Sequence, residues 1–134
     1  MKSDGVATSL APSCSLVLLY FSAHWCPPCR QFTPVLRDFH AEAVEQDLGI
    51  EVVFVSWDRS EREMYDYMKS EHGSWPALGH GEQEGKRLQQ EHGVEGIPAL
   101  VVVRRDGTLV TKTGREDVVG LGPARAVARW RAVA

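Results

Sequence analysis

Two cysteines separated by two prolines, Cys26-Pro27-Pro28-Cys29, are the residues of this chain best suited to covalent chemistry. Thiols at that spacing can exchange with disulfides, supply half of a zinc site, or form a structural cross-link. Their surroundings discriminate between these. A tetrahedral zinc site wants about four soft ligands, yet there is no second Cys-x-x-Cys, and the five histidines, at 24, 40, 72, 80 and 92, are scattered. A cross-link is a poor fit, because three cysteines leave at least one unpaired and 134 residues can build a core without a staple. Exchange chemistry fits best. Cys14, remote from the pair, reads as a bystander.

Position strengthens that reading. The run SLVLLYFSA, residues 15–23, is apolar throughout, as expected of a strand buried on both faces, and the Cys-Pro-Pro-Cys opens a helical pattern directly after it. A helix start presents unpaired amides and partial positive charge, both of which stabilise a thiolate. Cys26 is therefore the expected nucleophile. Cys29 comes round the first turn one step deeper, the natural place for a resolving thiol. Pro27 and Pro28 occupy early helical positions where a missing N–H costs least, and they stiffen the dithiol loop.

The elements that must position the pair follow from periodicity. Phe32, Val35, Leu36, Phe39 and Ala43 mark the buried face of the first helix, which Pro34 should kink or interrupt. IEVVFVSW, residues 50–57, is a second buried strand. Ser60 and Glu63 form a capping box opening a helix that buries Met64, Tyr67 and Met68 and stops at Gly73. His80, in the loop 74–82, reads as a flexible loop residue; a short helix then ends at Gly93. Residues 97–113 read as an antiparallel hairpin turning at Asp106-Gly107 through a two-residue type I′ turn. After a break at Gly120 and Gly122, Pro123 opens a last helix with Val127, Trp130 and Val133 on one face. The order β, α, β, α, short α, β, β, α makes an α/β fold: a central mixed sheet with a C-terminal antiparallel hairpin and helices on both faces. One domain is expected over 1–134, with 1–14 a loose lead-in.

Composition excludes several classes. A net charge of −3 gives no electrostatic case for nucleic acid. The longest apolar run is too short to span a bilayer, and the opening residues lack the apolar core of a secretory signal. No glycine-rich dinucleotide fingerprint is present, so no cofactor is expected. A cytoplasmic monomer is the expectation, with the nucleus as a second possible compartment.

WCPPC after an apolar strand, EVVFVSWD at residues 51–58 and HGVEGIPALVVVRRDGTLV at 92–110 together resemble the thioredoxin fold, and more narrowly the tryparedoxin and nucleoredoxin-like group. The resemblance implies a cis Ile97-Pro98 bond facing the dithiol. It also implies that Trp25, Trp57, Ile97, Pro98 and Arg115 border the substrate groove. The chain departs from tryparedoxins at Arg59, where they carry an acid, which argues against their polyamine-linked dithiol as substrate. Tyr20 holds the place where thioredoxin carries a buried aspartate, as in tryparedoxins. Asp58, at the carboxyl end of a strand, is then the candidate to take the Cys29 proton. The function implied is reduction of disulfides by a Cys26/Cys29 cycle. Its partners would be disulfide-containing protein clients, with a low-molecular-weight dithiol or a reductase as electron donor. The alternative is a nucleoredoxin-like module that binds proteins through the same groove with little turnover.

Overall fold

In the computed structural model, which describes residues 14–133, the apolar runs form a four-stranded mixed sheet. β1 (Leu16–Ser22) and β2 (Ile50–Ser56) pair in parallel, with Leu18 opposite Val52 and Tyr20 opposite Phe54. β3 (Ala99–Arg104) lies antiparallel on the other side of β1, and β4 (Leu109–Thr111) antiparallel to β3, giving the order β2-β1-β3-β4. All seven residues of β1 are buried, as a central strand covered on both faces requires. The expected N-terminal lead-in, and the lack of a secretory signal read there, fall outside the described residues except for Cys14 and Ser15. Cys14 itself is buried in the core.

Alternation along β1 sorts two cores. Leu16, Leu18 and Tyr20 face the larger one, filled by Phe32, Leu36, Phe39 and Ala43 of α1 (Pro27–Glu45), Met64 and Tyr67 of α2 (Glu61–Glu71), Val118 of α4 (Gly114–Leu121), and Val127 and Trp130 of α5 (Pro123–Ala132). Val17, Leu19 and Phe21 face the smaller core with Leu88 of α3 (Gln83–Glu91) and Val94. Each fully buried aliphatic or aromatic side chain stabilises the fold by roughly 1.5–3 kcal/mol. The expected architecture, helices on both faces of a mixed sheet, is present.

Several local expectations are corrected. α1 runs through Pro34 without interruption, held by buried side chains on both sides of it, Phe32 and Thr33 before and Leu36 and Phe39 after. Val35 is exposed rather than inward, because the buried face follows Phe32, Leu36, Phe39 and Ala43 and leaves Val35 off its edge. The capping box is half formed: Ser60 Oγ accepts from Glu63 N at 3.1 Å, but Glu63 reaches the amide of Arg59, not Ser60. α2 ends at Glu71 with His72 as its cap, before Gly73.

The hairpin turn is not type I′. Gly107 N donates to Arg104 O at 2.9 Å and Arg104 N to Thr108 O at 2.8 Å, and only Gly107 (φ 96°) is left-handed. That is a three-residue loop, a type I turn closed by a glycine bulge, with Asp106 Oδ1 accepting from Thr108 N. α4 was not legible, because Val118 is its only large apolar side chain buried in the core. It requires Gly114, where an added Cβ would stand 2.7 Å from Leu100 O. Gly120 lies inside α4, and Gly122 (φ 77°) makes the break. Val133 caps α5 and is exposed rather than packed.

Candidate active site

β1 ends at Ser22, and the chain turns through Ala23, His24 and Trp25 to deliver Cys26 as the N-cap of α1. Cys26 Sγ accepts from Cys29 N at 3.4 Å, one of the amides that a helix start leaves unpaired. It also lies 3.9 Å from Ile97 O, across from the cis Ile97-Pro98 bond that the family resemblance implied. Pro27 and Pro28 fill the first two helical positions and are exposed. All three cysteines are free thiols here.

The two sulphurs of the pair differ in depth. Cys29 is completely inaccessible, packed with Ala23 and Cys26 and against Trp57 and Ile97. Burial pushes its thiol up to about 12, and the hydrogen bond with Cys26 adds to this, while the Ser22 hydroxyl and the Ala23 backbone pull the other way. Cys29 therefore stays protonated until a reaction brings an electrophilic sulphur to it.

The residues named from the resemblance converge around this pair. Trp25, 42% exposed, donates from Nε1 to Trp57 O at 3.2 Å and carries the Arg59 guanidinium 5.1 Å from its ring centre. Arg115 Nη1 donates to Pro98 O at 3.1 Å, and its guanidinium sits 5.7 Å above the Phe32 ring. Surface depressions open beside them, one of about 260 Å³ along Trp57, Asp58, His80 and Lys86, another of about 480 Å³ along Phe32, Arg115 and Val119. Asp58 is 5% exposed, and its carboxylate accepts from His24 N and from Ser56 Oγ, both at 2.8 Å. That brace fixes the turn that carries Trp25 and Cys26. After burial, the groups with most influence on the Cys29 thiol are Cys26, Ser22 and the Ala23 backbone.

Sequence reasoning missed what lies beneath. His80, expected to be a flexible loop residue, bonds Asp58 O through Nε2 at 2.7 Å. Ser22 Oγ lies 2.7 Å from Tyr67 Oη, which is 2.5 Å from Thr33 Oγ1. The signal available was modest: Thr33 stands one helical turn beyond Cys29, and Ser22 and Tyr20 share a face of β1. Among the described residues no group of three or more His, Cys, Asp or Glu side chains is placed to hold a metal ion.

Comparison with known proteins agrees with this geometry. Residues 15–109 match a family model described as thioredoxin-like. Tryparedoxin of Trypanosoma brucei brucei is 40% identical over 105 residues, which are 77% of this chain and 71% of that protein. Nucleoredoxin of Danio rerio is 38% identical over 106 residues, 78% of this chain, and the match spans only 25% of that protein's length. Among solved structures, thioredoxin from Wuchereria bancrofti superposes with a TM-score of 0.79 at 44% identity, covering 96% of this chain and 88% of that one.

Proposed function

The chain belongs to the thioredoxin-like family, and from that premise we propose that it is a thiol-disulfide oxidoreductase that reduces protein or small-molecule disulfides. Cys26 attacks a client disulfide, a mixed disulfide forms, and Cys29 displaces the reduced client while the Cys26–Cys29 bond closes. An external dithiol or reductase then returns the pair to the reduced state. The observation that carries the reading is the split between the two sulphurs. Cys26 caps a helix at the groove, where an anion is favoured, and Cys29 waits fully buried one turn behind it.

The flanking groups supply a place for an extended client. The Ile97 carbonyl lies beside Cys26 at the edge of β3, suited to pair with a client backbone, and Trp25 offers an exposed apolar platform next to the nucleophile. Similarity to nucleoredoxin supports a second reading, a redox-sensitive protein-binding module that uses the same groove with little turnover. The test is reduction of insulin disulfides by protein recycled with dithiothreitol, beside Cys26→Ser. Turnover abolished in the variant supports the catalyst. An inactive wild type that still captures clients after Cys26→Ser supports the module.

A further inference from the structure

Two arginines adjoin the exposed ring of Trp25 beside the nucleophile. Arg59 seats its guanidinium 5.1 Å from the ring centre, and Arg30 lines a depression of about 310 Å³ together with Trp25, His24 and Glu63. Both are anchored through the backbone: Arg30 N donates to Cys26 O at 3.1 Å, and Arg59 N to Glu63 Oε1 at 3.2 Å. Both side chains are exposed, and neither enters an ion pair among the described residues. A guanidinium seated over a ring keeps N–H donors free for a carboxylate, which it can hold through two parallel hydrogen bonds.

The charges on this side do not cancel. Glu63 is the one acid lining the depression, and its Oε1 already accepts from the Arg59 amide. Glu71 is paired with His24 Nε2 at 2.9 Å. Two guanidiniums thus stand beside Trp25 against one unpaired carboxylate, in a chain whose net charge is −3. The balance is the reverse in the depression along Trp57, where Asp58 and Glu82 outnumber Lys86. The mouth is therefore polarised, and a carboxylate on an incoming molecule is favoured on the Trp25 side.

We infer that Arg59 and Arg30, with Trp25 between nucleophile and solvent, determine specificity: the disulfides preferred by Cys26 carry a carboxylate close to their sulphurs. The inference rests on the exchange function proposed above. In the attack a Cys26–sulphur bond forms, and the disulfide breaks with its electron pair on a departing thiolate that bears the carboxylate. Cys29 then closes on Cys26, its proton passes through water to the second departing sulphur, and the substrate has gained two electrons from the protein. Arginine at the rim attracts the carboxylate before the attack, so the gain appears in the second-order rate constant. An exposed ion pair changes such a constant by up to about fivefold, which makes roughly tenfold a fair expectation for two. The same carboxylate chemistry comes from a free low-molecular-weight disulfide or from acidic residues flanking a cystine in a polypeptide.

The experiment oxidises the reduced protein with three symmetric alkyl disulfides: dithiodipropionate, a dianion; hydroxyethyl disulfide, neutral; and cystamine, a dication. Acid quench, alkylation and intact mass give each rate, and division by the rate of dithiothreitol with the same disulfide cancels intrinsic reactivity. At about 10 mM salt, where charges act over about 30 Å, dithiodipropionate is expected to be favoured over cystamine roughly tenfold; at about 1 M, where the range is about 3 Å, by less than about twofold. Arg30→Gln and Arg59→Gln should each lower the ratio of dithiodipropionate to hydroxyethyl disulfide, read within the variant, by about two- to fivefold, while Arg30→Lys keeps most of it. A corrected rate equal for all three disulfides, or highest for cystamine, overturns the inference. So does a ratio unchanged in both glutamine variants, or lost as fully in Arg30→Lys as in Arg30→Gln. Glutathione disulfide and a cyclic peptide with Asp beside each cysteine, each against its carboxamide counterpart, separate the two sources; preference for either supports the inference and names the source, and preference for neither overturns it. A protein that reacts with neutral hydroxyethyl disulfide no faster than dithiothreitol does overturns the exchange reading itself, and the specificity with it.

Discussion

Cys26 and Cys29 stand three residues apart in regions built on opposite principles. Around Cys26 the partners are backbone groups, the amide of Cys29 and the carbonyl of Ile97, and the nearby side chains Trp25, Pro27 and Pro28 face solvent. Cys29 is fully buried, its neighbours are buried or half-buried, and its carbonyl meets side-chain hydroxyls that are locked to one another. The mouth takes its electrostatics from the helix terminus, which survives most side-chain changes. The floor takes its own from Ser22, Thr33, Tyr20 and Tyr67, where a single methyl or hydroxyl matters. The mouth is therefore free to vary with the client, whereas the floor is tied to the core.

The largest effect comes from breaking the division itself. Cys26→Ser should lower insulin reduction to the rate of dithiothreitol alone, with no client bound. Cys29→Ser should lose turnover equally, but it should hold the client on Cys26 as a mixed disulfide visible by intact mass. If the two variants behave alike in the mass measurement, the roles of the two sulphurs are wrongly divided.

Next in size is the difference in stability between the regions. Tyr67→Ala removes a buried ring that packs on Phe54 and His72 at 5.7 and 4.3 Å, and large aromatic truncations in cores cost about 3–5 kcal/mol. Trp25→Ala removes a ring that is 42% exposed. It should cost less than about 1 kcal/mol, as surface changes do. Urea midpoints measured for both variants check the contrast. Comparable losses would mean that the mouth is as much a part of the core as the floor.

The same contrast explains what the sequence revealed. The dithiol, the strand before it and the helix after it were legible because covalent chemistry and backbone geometry leave local marks: cysteine spacing, prolines at the helix start, an unbroken apolar run. Glycines misled in one place and informed in another. Gly120 reads as a break but belongs to α4, whose first residue, Gly114, must be small to approach Leu100, whereas Gly107 does mark a turn, though of another type. The floor was hidden because Ser22, Thr33 and Tyr67 lie on three elements and become neighbours only through packing. A hydroxyl in an apolar pattern gives no local sign of its partner. Asp58 stands out for its place at the carboxyl end of a strand, and its carboxylate is engaged by His24 N and Ser56.

Acid should sharpen the comparison at the floor. His72 lies against Tyr20, Phe54, Tyr67 and Trp75, and burial, with a smaller contribution from the charge of His24, lowers its pKa from 6.5 to about 3. Below pH 6.5 the unfolded chain takes up a proton that the folded protein refuses, so His72 makes stability fall as the pH drops towards about 3 and adds no further loss below that. Urea midpoints taken between pH 7 and pH 4 should decline less steeply in His72→Phe than in the parent protein. Equal slopes would assign the acid sensitivity to other groups.

The smallest effect belongs to Arg59, on the rim of the mouth. Its guanidinium stacks 5.1 Å from the Trp25 ring centre, and such contacts at exposed sites are worth about 0.5–1 kcal/mol. Arg59 touches neither sulphur, so its removal should leave the chemical steps unchanged and alter only how Trp25 meets a client. Arg59→Ala should therefore raise KM for insulin by about two- to fivefold, the equivalent of that contact energy, with kcat held. A fall in kcat would show that Arg59 acts through the turn that Asp58 braces, coupling rim to nucleophile, and the mouth would then be less tolerant of variation than its exposure implies.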